Sequence, residues 1–466
     1  MDPENHSSTI KPAKQFNPKR NILLFILSFI VALVLTHFLG DKSFSQSQNY
    51  VFFLLFFSIG LWLTEAIPPF AVGLFIMAYL FFMLGNSRFN SQPQNAAKYV
   101  QTFSNSIIWL MLGGFFLAEA MTKTGIDAYF FRFTLRLSGK IPGNILLGVM
   151  LTTMVASMLL SNTAVTSMMI ASMMPLLTSL KGKSFGKALL LGIPLAASFG
   201  GMGTIIGSPP NAIAVGELEN NGISLSFPNW MIFGIPLSIL FTLAGWYFLR
   251  RRFIKDKEPV TIELTTHSPE ESAQQNKQRI IVMIVLITTI SLWLTSSFHR
   301  LSVAMVAAIP LVFLPMTGIL QAADMRKIPW DTLLLVAGGL SLGLSLQGTR
   351  LLEHFSKHIM GAELGTITLM LVFAYATMLF SNIMSHTATS TIFIPLGIYL
   401  MPEHVMQVAV TIALSAATAM ILPVSTPPNA IAYSTGMIKQ RDFLFTGLLS
   451  GLLAPPVIVF FVNLAV

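Results

Sequence analysis

The chain has 466 residues, 54% hydrophobic and only 10% charged, where soluble domains carry about 25% charged residues. Its mean hydropathy of +0.71 excludes a soluble chain and makes the bilayer its natural solvent. The formal charge of +9 is clustered just outside apolar runs, so it reads as a topology signal and not a nucleic-acid footprint, and zero cysteines exclude disulfides, thiolate metal sites and thiol catalysis.

In chain order, Lys11, Lys14, Lys19 and Arg20 precede an apolar run over 22–39. The run is too long for a signal peptide and lacks a small-residue cleavage site, so it is predicted to be the first span. Further full spans are predicted at 51–67, 70–84, 105–122, 188–219, 229–249, 280–297, 301–320, 331–349, 405–438 and 443–464, giving about eleven transmembrane helices. Two stretches, 143–180 and 364–400, are each twice a span's length and carry polar residues at their centres. Each is either two spans joined by a tight turn or a re-entrant helical hairpin that enters and leaves by one face.

With the N-terminus cytoplasmic and the C-terminus outside, the basic groups from Lys11 to Arg20, at Lys123, Arg132, Arg136 and Lys140, at Lys181, Lys183 and Lys187, from Arg250 to Lys257, at Arg326 and Lys327, and at Lys439 and Arg441 all fall inside. Few fall outside: Lys42, Arg88, Lys98, Arg300, Arg350 and Lys357. Either reading of the two long stretches gives this parity. The expected organisation is a cytoplasmic tail over 1–20, a first helix and first repeat over 21–249, a linker over 250–279 with Pro259, Glu270 and Glu271, and a second repeat over 280–466.

The duplication is visible in three tracts. Leu112-Gly113-Gly114-Phe115-Phe116-Leu117 recurs as Ala337-Gly338-Gly339-Leu340-Ser341-Leu342, Ser161-Asn162-Thr163-Ala164 as Ser385-His386-Thr387-Ala388, and Ser208-Pro209-Pro210-Asn211-Ala212-Ile213-Ala214 as Thr426-Pro427-Pro428-Asn429-Ala430-Ile431-Ala432. The order is kept, at offsets of 225, 224 and 218 residues. Five crossings separate the two copies, so the second is inverted, which is the pattern of secondary transporters with a midplane site. Each Pro-Pro removes two backbone donors, so the helices should unwind around Ser208 to Asn211 and around Thr426 to Asn429. Freed carbonyls suit Na+, and the N-terminus of the following half-helix suits an anion. The tips Ser161-Asn162-Thr163 and Ser385-His386-Thr387 add hydroxyl and amide groups able to meet a carboxylate. A lone Ser or Thr in a membrane helix is ordinary packing glue; here the weight lies on a tip paired with a Pro-Pro break, twice.

These residues, with Leu422-Pro423-Val424-Ser425-Thr426-Pro427-Pro428-Asn429-Ala430 and Gly200-Gly201-Met202-Gly203-Thr204-Ile205-Ile206-Gly207-Ser208-Pro209-Pro210-Asn211, resemble the divalent anion/sodium symporter family of di- and tricarboxylate and sulfate transporters, over essentially the whole chain. The resemblance implies an all-α polytopic membrane protein with two re-entrant hairpins in two inverted repeats, built as a homodimer with scaffold and elevator-type transport domains. It implies substrate contacts from Ser161, Asn162, Thr163, Ser208, Pro209, Ser385, His386, Thr387, Thr426 and Pro427. It also implies a first sodium site at Ser157, Ser161, Asn162 and Gly207, and a second at Ser381, Met384, His386 and Ser425. The chain departs from the family at His386, where Asn is usual. A neutral imidazole there leaves sodium coupling in place with altered stoichiometry, while a protonated one replaces the second sodium's charge and suits a sodium-independent exchanger or proton coupling.

Among single residues, Glu119 is expected to have a structural partner in the bundle and Glu65 to lie at the interface, and the charged stretches around Arg132 and from Glu353 to His358 read as amphipathic helices along the membrane faces. Gly339-Leu340-Ser341-Leu342-Gly343 matches a Gly-x-Ser-x-Gly nucleophile motif but lies inside an apolar span, and no zinc or nucleotide motif appears. The chain is therefore expected to be no enzyme and to draw energy from an ion or substrate gradient. The sequence points to a multi-pass carrier in a plasma or inner membrane, with no nucleic-acid partner. Its expected substrates are small dianions, foremost C4 dicarboxylates such as succinate, malate or fumarate, by sodium symport or by exchange. Citrate or sulfate transport, or an anion channel, are the remoter readings.

Overall fold

The computed structural model describes residues 17–126, 138–254, 273–351, 365–423 and 425–465. The helices are α1 (Pro18–Leu39), α2 (Gln46–Thr64), α3 (Pro69–Gly85), α4 (Ser106–Thr124), α5 (Pro142–Ser157), α6 (Asn162–Ser179), α7 (Ser184–Gly200), α8 (Pro209–Asn220) and α9 (Phe227–Phe253). They continue as α10 (Ala273–Leu294), α11 (Val303–Met316), α12 (Trp330–Gly348), α13 (Thr366–Ser381), α14 (His386–Leu400), α15 (Val405–Ala416), α16 (Pro427–Ser434) and α17 (Gln440–Ala465), with only single-turn helical segments besides among the described residues. Seven described segments are long and apolar enough to cross a membrane, and six shorter apolar helices of 10–17 residues accompany them. The protein is an all-α, multi-pass membrane protein.

The helix boundaries follow local chemistry. The Asn105 side chain accepts the Ile107 N–H at 2.9 Å to open α4, a cap worth about 1 kcal/mol, and Gly125, at φ 71°, closes the same helix in the left-handed conformation. Proline stands in the first turn of α3, α5, α8 and α16, where its missing N–H costs nothing. α1 buries only Ser28 and Ala32, as expected of a helix that is apolar all round and bathed in lipid.

The two breaks differ from the sequence expectation in register. The unwound stretches end at Ser208 and Thr426, and the prolines begin the next helix, so Asn211 and Asn429 are helical. The physical reason is the residue before each proline, which its ring drives out of the helical region: Ser208 sits at φ −151°, ψ 139° and Thr426 at φ −137°, ψ 148°.

Packing repeats with the motifs. α3 lies on α12 as α11 lies on α4, α5 lies on α7 as α13 lies on α15, and α7 lies on α9 as α15 lies on α17. Across the halves, α6 meets α16 and α14 meets α8. The repeated Gly-Gly pairs mark the close crossings. A Cβ on Gly113 would stand 2.8 Å from the Ala307 Cβ, and one on Gly338 only 2.3 Å from the Gly73 Cα. Their partners, Gly114 and Gly339, give room to Ile206 of the first break and to Thr391 of α14.

Charges gather at helix ends. Asp324, before α12, accepts from Lys123 of α4 at 2.5 Å and from Lys327 at 3.3 Å, while Lys327 also meets Glu119 at 3.0 Å, so Glu119 has a structural partner. Lys123, then the Gln321 N–H and Lys327, hold the Asp324 carboxyl down to about 2. Glu65 closes α2 at φ 51°. Ser341 of the Gly-x-Ser-x-Gly match is fully buried and donates to the Tyr99 carbonyl at 2.6 Å, so it exposes no nucleophile. The expectations at Lys11, Lys14, Arg132, Arg136, Lys257, Pro259, Glu270, Glu271, Lys357 and Val424, and from Glu353 to His358, lie outside the described residues.

Candidate functional site

One cavity of about 450 Å³ is lined by Ser161, Asn162, Thr163, Ser208, Pro209, Ser385, His386, Thr387, Thr426 and Pro427. These are all ten residues singled out for the substrate, brought together from positions far apart in the chain. Gly207 and Ser425 also line it, while Ser157, Ser381 and Met384 lie behind the wall and are buried.

The wall is made of helix starts. α6, α8, α14 and α16 each present their first residues to the cavity, so four positive dipole ends meet there, with first-turn backbone N–H groups at α6 and α14, while α8 and α16 open on two prolines that have none. At three of them the cap hydroxyl already accepts a backbone N–H: Ser161 from Ala164 at 3.2 Å, Ser385 from Ala388 at 3.1 Å, and Thr426 from Asn429 at 3.2 Å. An oxygen used in that way keeps its own O–H to donate to an anion. Ser208 makes no side-chain cap bond. The arrangement therefore offers neutral donors and dipoles to an anion, and among the lining residues there is no Lys or Arg.

Each tip is tied to the break of its own half, by different chemistry. In the first half, the Thr204 hydroxyl donates to the Met158 carbonyl, and Asn211 Nδ2 donates to the Gly201 and Thr204 carbonyls at 2.8 Å each. In the second, the Ile421 N–H donates to Asn382 Oδ1 at 2.8 Å, and Asn429 Nδ2 donates to the Leu422 carbonyl at 3.2 Å. Thr204 and Asn382 carry no signal in a single sequence, because either side chain is equally at home as a local cap or packing residue.

The two tips differ in their fit to a cation. Ser157 donates to Asn162 Oδ1 at 2.6 Å, and a Cβ on Gly201 would stand 2.7 Å from that oxygen and 3.1 Å from the Gly207 carbonyl oxygen. The Asn162 amide, its nitrogen 2.9 Å from the same point, and the Gly207 carbonyl thus lie close together, and their oxygens are of the kind a hard monovalent ion takes. At the mirrored place, His386 offers ring nitrogens instead of an oxygen. Its buried Nε2 and the buried Ser381 Oγ are both without a hydrogen-bond partner among the described residues, so the bond that joins Ser157 to Asn162 has no counterpart. Ser425 Oγ donates to the Leu422 carbonyl at 2.7 Å. This set offers a sodium ion hydroxyl oxygens from Ser381 and Ser425 but no amide oxygen.

Five residues of the opposite wall were not singled out from the sequence: Met111 and Phe115 of α4, and Pro329, Asp331 and Thr332 at the start of α12. Phe115 lies within the repeated Gly-Gly tract, which was signal enough to suspect it. Asp331 was legible only as a first-turn acid that suits a helix N-terminus. Ser198 and Ile206 complete the lining near the first break.

Fold and site together define a membrane transporter of small anions, not an enzyme. The chain belongs to the citrate transporter family, whose sequence model (CitMHS) matches residues 59–414, within the wider superfamily of citrate and dicarboxylate transporters. It is 30% identical over 434 residues to the sodium-dependent dicarboxylate transporter SdcS of Staphylococcus saprophyticus, covering 85% of this chain and 82% of that one. It is 28% identical over 436 residues to SdcS of Staphylococcus aureus, with the same coverage of 85% and 82%. In fold it is similar to the YdaH transporter of Alcanivorax borkumensis, with a TM-score of 0.54 at 13% identity over 85% of this chain and 97% of that one.

Proposed function

We propose that the protein is a secondary transporter of C4 dicarboxylates such as succinate, malate or fumarate, of the divalent anion/sodium symporter type. The observation that carries this reading is the single cavity walled by two tips and two breaks, with neutral donors from each half facing each other across it. A dianion with a carboxylate at each end matches two such half-sites. The relatives named sodium-dependent dicarboxylate transporters support the same substrate class.

In this reading the helix pairs α5–α6 and α13–α14 are re-entrant hairpins and the chain makes eleven crossings in two inverted repeats, with its N-terminus cytoplasmic and its C-terminus outside. The hairpins, broken helices, α9 and α17 form a transport domain that moves as an elevator against a scaffold of α1–α4 and α10–α12 in a homodimer. Substrate lies between the domains, since Met111, Phe115 and Asp331 come from the scaffold side. Ser161, Asn162, Thr163, Ser208, Ser385, Thr387 and Thr426 donate to the carboxylates, Pro209 and Pro427 set the helix starts, and sodium is held at Asn162 and Gly207, with Ser157 orienting the amide.

A second reading is favoured by one specific observation, the oxygen-poor second tip. There His386 takes the place of the second sodium, and the carrier exchanges dicarboxylates without a sodium gradient. Succinate flux into proteoliposomes separates the two. Uptake driven only by an inward sodium gradient establishes symport. Counterflow without sodium, converted to sodium-dependent uptake by His386→Asn, establishes exchange. Transport in neither mode defeats the dicarboxylate assignment.

A further inference from the structure

Between α9 and α17 lies a second hollow of about 200 Å³, open along the surface of the bundle, with α7 at its floor. Its walls are apolar. The two hydroxyl residues on α17 that border it turn inward: Thr446 donates to the Phe443 carbonyl and Ser450 to the Gly447 carbonyl, both at 3.1 Å. On α17 the hollow runs from Thr446 to Val457, about 16 Å at 1.5 Å per residue. That is one leaflet's share of a hydrocarbon core about 30 Å thick.

One end of this groove is strongly basic. Phe248 lines the groove, and one turn further along α9 comes Arg252, whose guanidinium lies 5.5 Å from the centre of the Phe445 ring of α17. Phe445 is in turn one helical turn before the lining Leu449, and Arg441 one turn before Phe445, so a single stripe of α17 leads from the apolar wall to a second exposed arginine. The nearby acid, Asp442, is already taken by Lys187 at 3.2 Å and by the Lys439 N–H at 2.9 Å. Basic residues at helix ends are an ordinary topology signal. What exceeds that signal is the continuity of an acyl-length groove with two arginines on its own axis, one of them laid across the two helices that form it.

We propose that this groove binds an acidic glycerophospholipid, one acyl chain lying between α9 and α17 and the phosphate held by Arg252 and Arg441. The site is independent of the dicarboxylate reading. A lipid seated there bridges the last helix of the first half to the last helix of the second.

The test uses the full-length protein in detergent, with phosphatidylglycerol and phosphatidylcholine as competing probes read by native mass spectrometry. Phosphatidylglycerol is expected to be retained about 25-fold more tightly, about fivefold for each arginine. The double variant Arg252→Gln/Arg441→Gln should bring the two lipids level. Independently of any variant, phosphatidylglycerol carrying a photoreactive acyl chain should label wild-type peptides within 237–248 and 446–457, and Leu453→Trp should suppress that labelling. Equal retention of the two lipids by the wild type, labelling that maps elsewhere, or competition by glycerol phosphate as effective as that by the whole lipid would each overturn the proposal.

Discussion

Replacing Asn211 with alanine removes the side chain that holds the first break open. Asn211 is 1% exposed, and its Nδ2 donates to the Gly201 and Thr204 carbonyls at 2.8 Å each. Both carbonyls lie in unwound backbone; that of Thr204 also accepts the Gly207 N–H at 3.3 Å, so the loss falls chiefly on the Gly201 carbonyl. A buried polar group left unpaired costs about 1 to 3 kcal/mol and a lost hydrogen bond about 1 kcal/mol, so the two together should cost about 2 to 4 kcal/mol. The mirrored Asn429 makes longer bonds, to the Leu422 carbonyl at 3.2 Å and to Ser425 Oγ at 3.4 Å, so Asn429→Ala should cost only about 1 to 2 kcal/mol. Thermal unfolding of the purified protein, followed by tryptophan fluorescence, reads both. The midpoint should fall further for Asn211→Ala, and the loss of dicarboxylate uptake should follow the same order. Equal losses, or a larger loss at Asn429, would refute the assignment of the first break as the more tightly built of the two.

Other outcomes follow from the same geometry. Asp324→Asn should lower the unfolding midpoint near neutral pH by an amount equivalent to about 1.5 to 3 kcal/mol. Because the folded carboxyl is depressed to about 2, that difference should be full above its unfolded value of about 4, and should shrink as pH falls from there through about 2, read by melting wild type and variant across an acid series. Gly338→Ala drives a methyl group against the Gly73 backbone at 2.3 Å, so the yield of folded protein by size-exclusion chromatography should drop sharply, whereas Gly318→Ala, at an open turn, should cost only the strain of its φ. Asp331 is the one acidic side chain lining the cavity, which has no Lys or Arg. Asp331→Asn should therefore raise citrate uptake relative to succinate by about fivefold, the worth of roughly 1 kcal/mol for one extra charge in a water-like medium, measured as the ratio of the two initial rates.

Most of the helices and one wall of the cavity were legible because they rest on local rules. Apolar runs at the length of a bilayer give the spans, Pro-Pro gives two helix starts, and Ser before a tip gives the caps at Ser161 and Ser385. The register of the breaks was misplaced, since proline was read as the point of unwinding when it is the first turn of the next helix and the residue before it is the extended one. The opposite wall was hidden for a different reason. Met111, Phe115 and Asp331 approach the cavity only because α4 and α12 cross α8 and α14 in space, and no periodicity within a segment reports that. His386 was visible as an odd residue, yet no local rule reports that its Nε2 and the Ser381 hydroxyl, five residues away, both lack a hydrogen-bond partner among the described residues.

In the proposed function the substrate sits between the two tips. The chain has no cysteine, so Thr163→Cys and Thr387→Cys can each be introduced without further change and titrated in proteoliposomes with a small thiol reagent. Both positions line the cavity, one from each half. Succinate should slow modification at both over the same concentration range, and dianions that are not transported should slow neither. Protection at only one tip, or at neither while uptake is intact, would contradict the account.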